Sequence, residues 1–319
     1  MIRISGQLLS PGGAQGRLSI LIFHRVLAQS DPLMPGEPDV PRFEQLLRWV
    51  SDWFQVLPLD MAVKRLADGT LPPRAAAITF DDGYADNATQ ALPALQRAGL
   101  PATFFIATSF LDGGRMFNDT VIESVRACRQ PWLDLEGCGL GRFAMDSIEA
   151  RRMAIDRLLL VIRYLQPAQR EATVAAVQQA AGAPMPDDLM MRSEQVIALR
   201  RAGMQIGAHT RTHPILTRLD DSAAAEEIVG GKRDLESLLG EPVTLFAYPN
   251  GKPGTDYGAR HADMVREAGF AAAVSTAAGT GSRASDPYQL PRFLPWDRGR
   301  LRFGMRMLVN LRAGNGLRA

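Results

Sequence analysis

The sequence is short of several features that would have fixed its class at once. It has two cysteines in 319 residues, Cys128 and Cys138, and no C-x-x-C pair, so neither a cysteine-ligated zinc site nor a dithiol redox centre is expected. Two reduced thiols are expected rather than a disulfide. No apolar run is long enough to span a bilayer. The opening stretch MIRISGQLLSPGGAQGRLSILIF holds only a short apolar segment, broken by glycine and proline. That is not the pattern of a secretory leader, and a cytoplasmic protein is expected. Charge nearly balances, 36 Lys and Arg against 34 Asp and Glu. No basic stripe is interleaved with aromatics, which argues against nucleic acid as a partner. Histidine is scarce, four in the chain, so the places where it falls are informative.

What is present is ordinary globular material, 46% hydrophobic and 22% charged. Apolar runs over 18–26, 55–59, 75–80, 102–107, 204–208, 244–248 and 271–275 read as strands. Helical patterns over 42–54, 60–67, 86–98, 194–202, 222–239 and 257–268 separate them. This alternation predicts an α/β fold with a mostly parallel sheet. About seven or eight strands suit a closed or nearly closed (β/α) barrel. From about 113 to 191 no strand pattern appears. Amphipathic helical spacing over 147–166 and an alanine-rich stretch over 173–181 predict a helical insertion there. The expected organisation is an N-terminal segment 1–17, a main domain 18–297 carrying the insertion, and a tail 298–319.

Chemistry concentrates at two strand ends. In ITFDDGYADN, the strand ending at Phe80 runs into Asp81, Asp82 and Gly83. In a (β/α) barrel that end of a strand is where active sites form. Successive residues of a strand point to opposite faces, so the two carboxylates start in different directions. By themselves they could equally cap the following helix. The strand ending at Ala208 runs into HTRTHP, with His209 and His213 four residues apart. One helical turn there would point both imidazoles the same way. Asp82, His209 and His213 then form a two-histidine, one-carboxylate set, the donor set of a catalytic zinc site. It is also that of a non-haem iron site, so the donors alone do not name the metal.

TFDDG followed by H-T-x-x-H-P resembles the polysaccharide deacetylases, the NodB-homology or carbohydrate esterase family 4 group. The resemblance runs over about 18–293. It implies a NodB-type distorted (β/α) barrel of about seven strands and an N-acetylated glycan as substrate. It implies Asp81 as catalytic base, and a divalent metal, with Zn2+ the first expectation, held by Asp82, His209 and His213. The family's R-x-P-Y motif is replaced by FAYPNG, with Ala247 at the arginine and Asn250 at the tyrosine. That departure is similar to the poly-N-acetylglucosamine deacetylase branch. By the resemblance, a backbone N–H at Asn250 stabilises the oxyanion. Arg292 in LPRF is the candidate for the missing cation, and an ordinary barrel-end arginine remains the alternative. The family's late Leu-x-His is absent, since His261 is the last histidine. A general acid is still needed to protonate the departing amine. His24, after the first strand, takes that role by the same resemblance. His261 falls in a helical pattern and reads as a solvated residue. A hydrolase acting on a small non-sugar amide, or a non-catalytic carbohydrate-binding relative, stays open.

After Asp297 the chain carries six arginines and no acid. Arg302, Arg306 and Asn310 recur every four residues as a polar stripe, with Leu301, Met305, Leu308 and Leu311 on an apolar arc. A terminal helix packed on the barrel is one expectation. Peripheral contact with the inner membrane surface is the other.

Overall fold

The computed structural model describes residues 1–182, 184–313 and 319. Helix α1 (Ile2–Leu9) precedes β1 (Leu18–Phe23), α2 (Val40–Trp53), β2 (Gln55–Val56), α3 (Leu59–Asp68), β3 (Ala75–Phe80), α4 (Leu92–Ala98) and β4 (Thr103–Ile106). An inserted unit follows: α5 (Phe117–Ala127), β5 (Trp132–Leu135), β6 (Gly141–Ala144), α6 (Ile148–Ile162) and α7 (Pro167–Ala181). The chain then returns through α8 (Ser193–Arg201), β7 (Gln205–Ala208), α9 (Asp221–Leu239), β8 (Leu245–Ala247), α10 (Ala259–Glu267), β9 (Ala272–Val274) and α11 (Arg300–Ala313).

Seven strands form one parallel sheet in the order β1-β3-β4-β7-β8-β9, with β2 also on β3. All six residues of β1 and of β3 are buried, as expected for strands covered on both faces. Side-chain alternation divides the core. Leu18 and Ile20 of β1 and Ala75 and Ala77 of β3 pack with Phe105, Leu245, Ala247 and Val274 on one face. Leu21, Phe23, Ile78 and Phe80 belong to the core on the other face, which also takes in side chains of α2, α4 and α9. The sheet curls but does not close by a full ladder. Single bridges join Leu290 to Val274 of β9 and Phe293 to Leu21 of β1, so the segment carrying Arg292 spans the gap between the sheet edges.

Three expectations need correction. The insertion is not purely helical, because β5 and β6 form an antiparallel hairpin inside it. Leu133 and Leu135 point inward and join Val121, Ile155, Leu158 and Val177 in a separate core. The tail's polar stripe is broken. Asn310 is buried and donates to the Gly279 carbonyl at 2.9 Å, while Arg302 and Arg306 both pair with Asp297. Helix α11 seats Phe303, Met307 and Leu311 in the core, whereas Leu301 and Met305 are exposed. The part of the tail over 314–318 lies outside the described residues. Finally, His261 is not solvated but fully buried.

Candidate metal centre and active site

The sheet places His24, Asp81, Asp82, His209, His213 and Asn250 just beyond the C-terminal ends of β1, β3, β7 and β8, around one cavity of about 330 Å³. Parallel strands make this convergence automatic, since all their carboxyl ends open on the same side.

Asp82 Oδ1 lies 3.4 Å from His209 Nε2 and 3.3 Å from His213 Nε2. Donors placed tetrahedrally about 2.0–2.1 Å from one centre are about 3.3 Å apart. The observed spacings therefore fit a metal ligand set. The three donor atoms lie within 4.8 Å of one another, and Asp82 Oδ1 is buried with no hydrogen-bond partner among the described residues. A buried carboxylate oxygen left in this state is costly unless a cation answers it. His209 Nδ1 is 2.7 Å from the Ala247 carbonyl. That contact fixes the proton on Nδ1 and leaves the Nε2 lone pair toward Asp82, the usual orientation of a ligand histidine. Burial pushes the His213 imidazole down to about 4 despite Asp82 beside it.

The two histidines do not meet through a helical turn. Thr210 (φ 63°) and His213 (φ 52°) adopt left-handed backbone instead, and the loop is held from outside. Glu227 of α9 accepts from the Arg211 N–H at 2.9 Å, the Thr212 N–H at 2.8 Å and the Thr212 hydroxyl at 2.6 Å. Gly231 of the same helix lets α9 approach, for a β-carbon there would stand 2.7 Å from the Thr210 carbonyl oxygen. Asp82 (φ 77°) and Asn250 (φ 58°) are also left-handed. Such backbone costs on the order of 1–3 kcal/mol per residue and clusters at functional sites.

Asp81 turns the other way and forms a two-pronged pair with Arg292, Nη1 to Oδ1 at 2.7 Å and Nη2 to Oδ2 at 2.6 Å. Arg292 is itself enclosed, donating through Nε to the Ser275 carbonyl at 2.8 Å and through Nη1 to the Thr79 hydroxyl at 3.3 Å. Burial pushes the Asp81 carboxyl up, but Arg292 and His209 outweigh it and hold the group below its ordinary value. The Arg292 side chain, singled out in LPRF, is thus the cation that meets Asp81. Asn250 sits in a turn closed by its own carbonyl, which accepts from the Thr276 hydroxyl at 2.7 Å.

His24 lines the same cavity. The residues that fix it escaped the sequence reading. Asn87 Nδ2 donates to the His24 carbonyl at 2.9 Å, and Asp86 pairs with Arg25 at 2.7 Å. Both lie in the same DDGYADN stretch as the aspartates, so β3 and the loop after it position both sides of the site. Asp86 and Asn87 open a π-helical turn, Asn87–Ala91, before α4, a feature frequent at functional sites. Asp119 was also missed. It is buried on the inserted helix α5, lines the cavity and accepts from the Tyr84 hydroxyl at 3.0 Å.

The fold and the site define an α/β protein with a curled, half-barrel parallel sheet and a candidate three-residue metal centre beside a locked carboxylate. The profile of the polysaccharide deacetylase family matches residues 68–127 and 159–273, more than half of the chain and omitting the hairpin. The chain belongs to the polysaccharide deacetylase family. YxkH of Bacillus subtilis, named as a candidate polysaccharide deacetylase, is 32% identical over 92 residues. That match takes in 28% of this chain and about a third (32%) of the length of YxkH. Among solved structures, the deacetylase PplD of Streptococcus pyogenes superposes with a TM-score of 0.62 at 16% identity, over 92% of this chain and 98% of that one. IcaB from Ammonifex degensii gives 0.59 at 20% identity, over 91% and 96%. At these identities the likeness concerns the fold.

Proposed function

We propose that the protein is a metal-dependent N-deacetylase of an N-acetylated glycan, of the poly-N-acetylglucosamine deacetylase kind. The observation that carries this reading is the pairing of the Asp82, His209 and His213 donor set with the arginine-locked Asp81 in one cavity, which His24 also lines. The three donors would hold a divalent ion, and two nitrogens with one carboxylate oxygen suit zinc. Such an ion, when bound, acidifies water and polarises the acetamide carbonyl. Asp81 takes the proton of the attacking water, and Arg292 keeps it ionised and fixes the direction of both oxygens. The Asn250 backbone N–H offers a hydrogen bond to the oxygen that gains charge. As the C–N bond breaks, His24 gives its proton to nitrogen. Acetate leaves with the oxygen of water, and a free amine stays on the sugar.

The test is a screen of N-acetylated glycans for acetate release, with metal content measured on the purified protein. Acetate release that stops with chelator and returns with zinc is expected. Release unaffected by exhaustive chelation, or acetate and ammonia release only from small non-sugar amides, overturns the reading.

We also propose that the enzyme works against the inner, anionic membrane surface. Support comes from α1 and α11, which pack together where Gly304 approaches Ile2. Each helix turns an apolar stripe away from the core: Ile4 and Leu8 on α1, Leu301, Met305 and Val309 on α11. Arg3 and Arg312 flank these stripes, and neither helix has an acidic residue. Apolar area edged by cations complements anionic lipid. Intact protein should sediment with phosphatidylserine vesicles at low salt, and the Leu301→Ser, Val309→Ser double variant should not. No sedimentation of the intact protein, or equal sedimentation of both, excludes the membrane role.

A further inference from the structure

Helix α6 of the inserted unit packs inward through Ala154, Ile155, Leu158 and Ile162. A helix lying on the surface should turn charge outward. Here the outward line mixes charge with long apolar side chains. At about 100° per residue, Glu149, Met153, Asp156, Arg157 and Leu160 fall within about 60° of one line opposite the core. Tyr164 follows two residues past the helix end. All six are exposed, Met153 by 67% and Leu160 by 69%, and exposed Val161 widens the apolar strip. Among the described residues Glu149, Asp156 and Arg157 form no ion pair. Arg157 only rests its guanidinium 5.5 Å from the Phe143 ring centre. Apolar side chains gathered on an exposed face mark a surface of contact.

We propose that this face pairs with the same face of a second copy of the chain, antiparallel, about a two-fold axis passing between Asp156 and Arg157. That axis carries each of the six residues onto another of the six: Met153 onto Leu160, Asp156 onto Arg157 and Glu149 onto Tyr164. A two-fold contact demands this, since the patch must complement itself. At the axis Asp156 meets the partner's Arg157, twice over. On either side Met153 packs on the partner's Leu160. Farther out the Tyr164 hydroxyl can donate to the partner's Glu149. A shift by one helical turn sets a charge against Met153 or Leu160, and a parallel pairing sets Asp156 against Asp156. The charges therefore select one partner and one register. The same helix gives Leu159 and Arg163 to the wall of the cavity over the ligand set, so pairing braces that wall in both copies. One helix face on each side is a small interface, and the association is weak and grows with concentration.

The experiment is sedimentation equilibrium of the intact protein over a concentration series up to roughly 0.5 mM, the range in which small interfaces assemble. The average mass should climb from that of one chain toward that of two. Leu160→Ser falls on the exposed face, leaves the core untouched and should keep a single-chain mass throughout. Asp156→Arg sets arginine against arginine twice across the axis and should weaken the dimer about tenfold or more. Adding Arg157→Asp reverses both pairs without changing their complementarity and should return the original affinity. A single-chain mass for the intact protein at every concentration overturns the proposal. A dimer that Leu160→Ser leaves intact overturns it too, because the contact then lies on another surface. So does a double variant that associates no more tightly than Asp156→Arg alone.

Discussion

His261 should make the protein sensitive to mild acid in a way that can be isolated. It lies in the first turn of α10, and its Nδ1 accepts from the Gly258 N–H at 2.8 Å. A proton on Nδ1 would break that bond and put positive charge at a helix N-terminus, where the dipole opposes it. Arg260 adds to the penalty, with Nε 3.3 Å from the other ring nitrogen. Burial first, then Arg260, push the imidazole from 6.5 down to about 4, against the pull of Asp221. The unfolded chain therefore takes up this proton near neutrality, and the folded chain resists it until much lower pH. Stability from this group is complete above the unfolded value and is lost as pH falls toward the folded one. The total is up to about 3 kcal/mol, of which about 2 is gone by pH 5, before ordinary carboxylates titrate. His261→Asn keeps an acceptor for Gly258 and cannot titrate. Urea unfolding of both proteins from pH 7.5 to pH 5, at constant m-value, gives the comparison. The intact protein should lose its advantage over the variant steadily across that range. Parallel profiles would show that His261 is already protonated in the fold, or that its acceptor role is wrong.

Other substitutions probe the site itself. Asp82→Ala should lose metal and turnover together, whereas Asp81→Asn should keep metal and lose turnover, as read by metal analysis beside acetate release. His24→Ala should lower kcat by about 10²–10⁴-fold with metal content unchanged, and loss of metal would make His24 a ligand instead. Arg292→Met strands Asp81 as a buried charge and should cost about 3–5 kcal/mol in urea unfolding. Adding Asp81→Asn should return part of that, because the second substitution removes the stranded charge. Additive losses would mean that Arg292 stabilises through packing alone.

The sequence by itself determined the features that depend on contiguous residues. An apolar run followed by two carboxylates, and another followed by two histidines, placed Asp81, Asp82, His209 and His213 at strand ends. Parallel strands then bring such ends together whatever the remaining details. The residues that escaped are those whose environment is made by distant chain. Alternation in the β5 hairpin was visible at Leu133 and Leu135, but two four-residue strands are too short to stand out among helices. His261 read as solvated because a helical period does not reveal what covers its face. In the tail, spacing drew a stripe through Asn310, while packing on Trp49, Trp53 and Phe293 turned that residue inward. Arg292 stood in the sequence as the candidate for the missing cation, with an ordinary barrel-end arginine as the alternative, and no local pattern chose between them. Only curling of the sheet, which brings the segment after β9 back beside β1, sets its guanidinium against a carboxylate 211 residues earlier. That fixed geometry is a property of closure, and no local pattern encodes it.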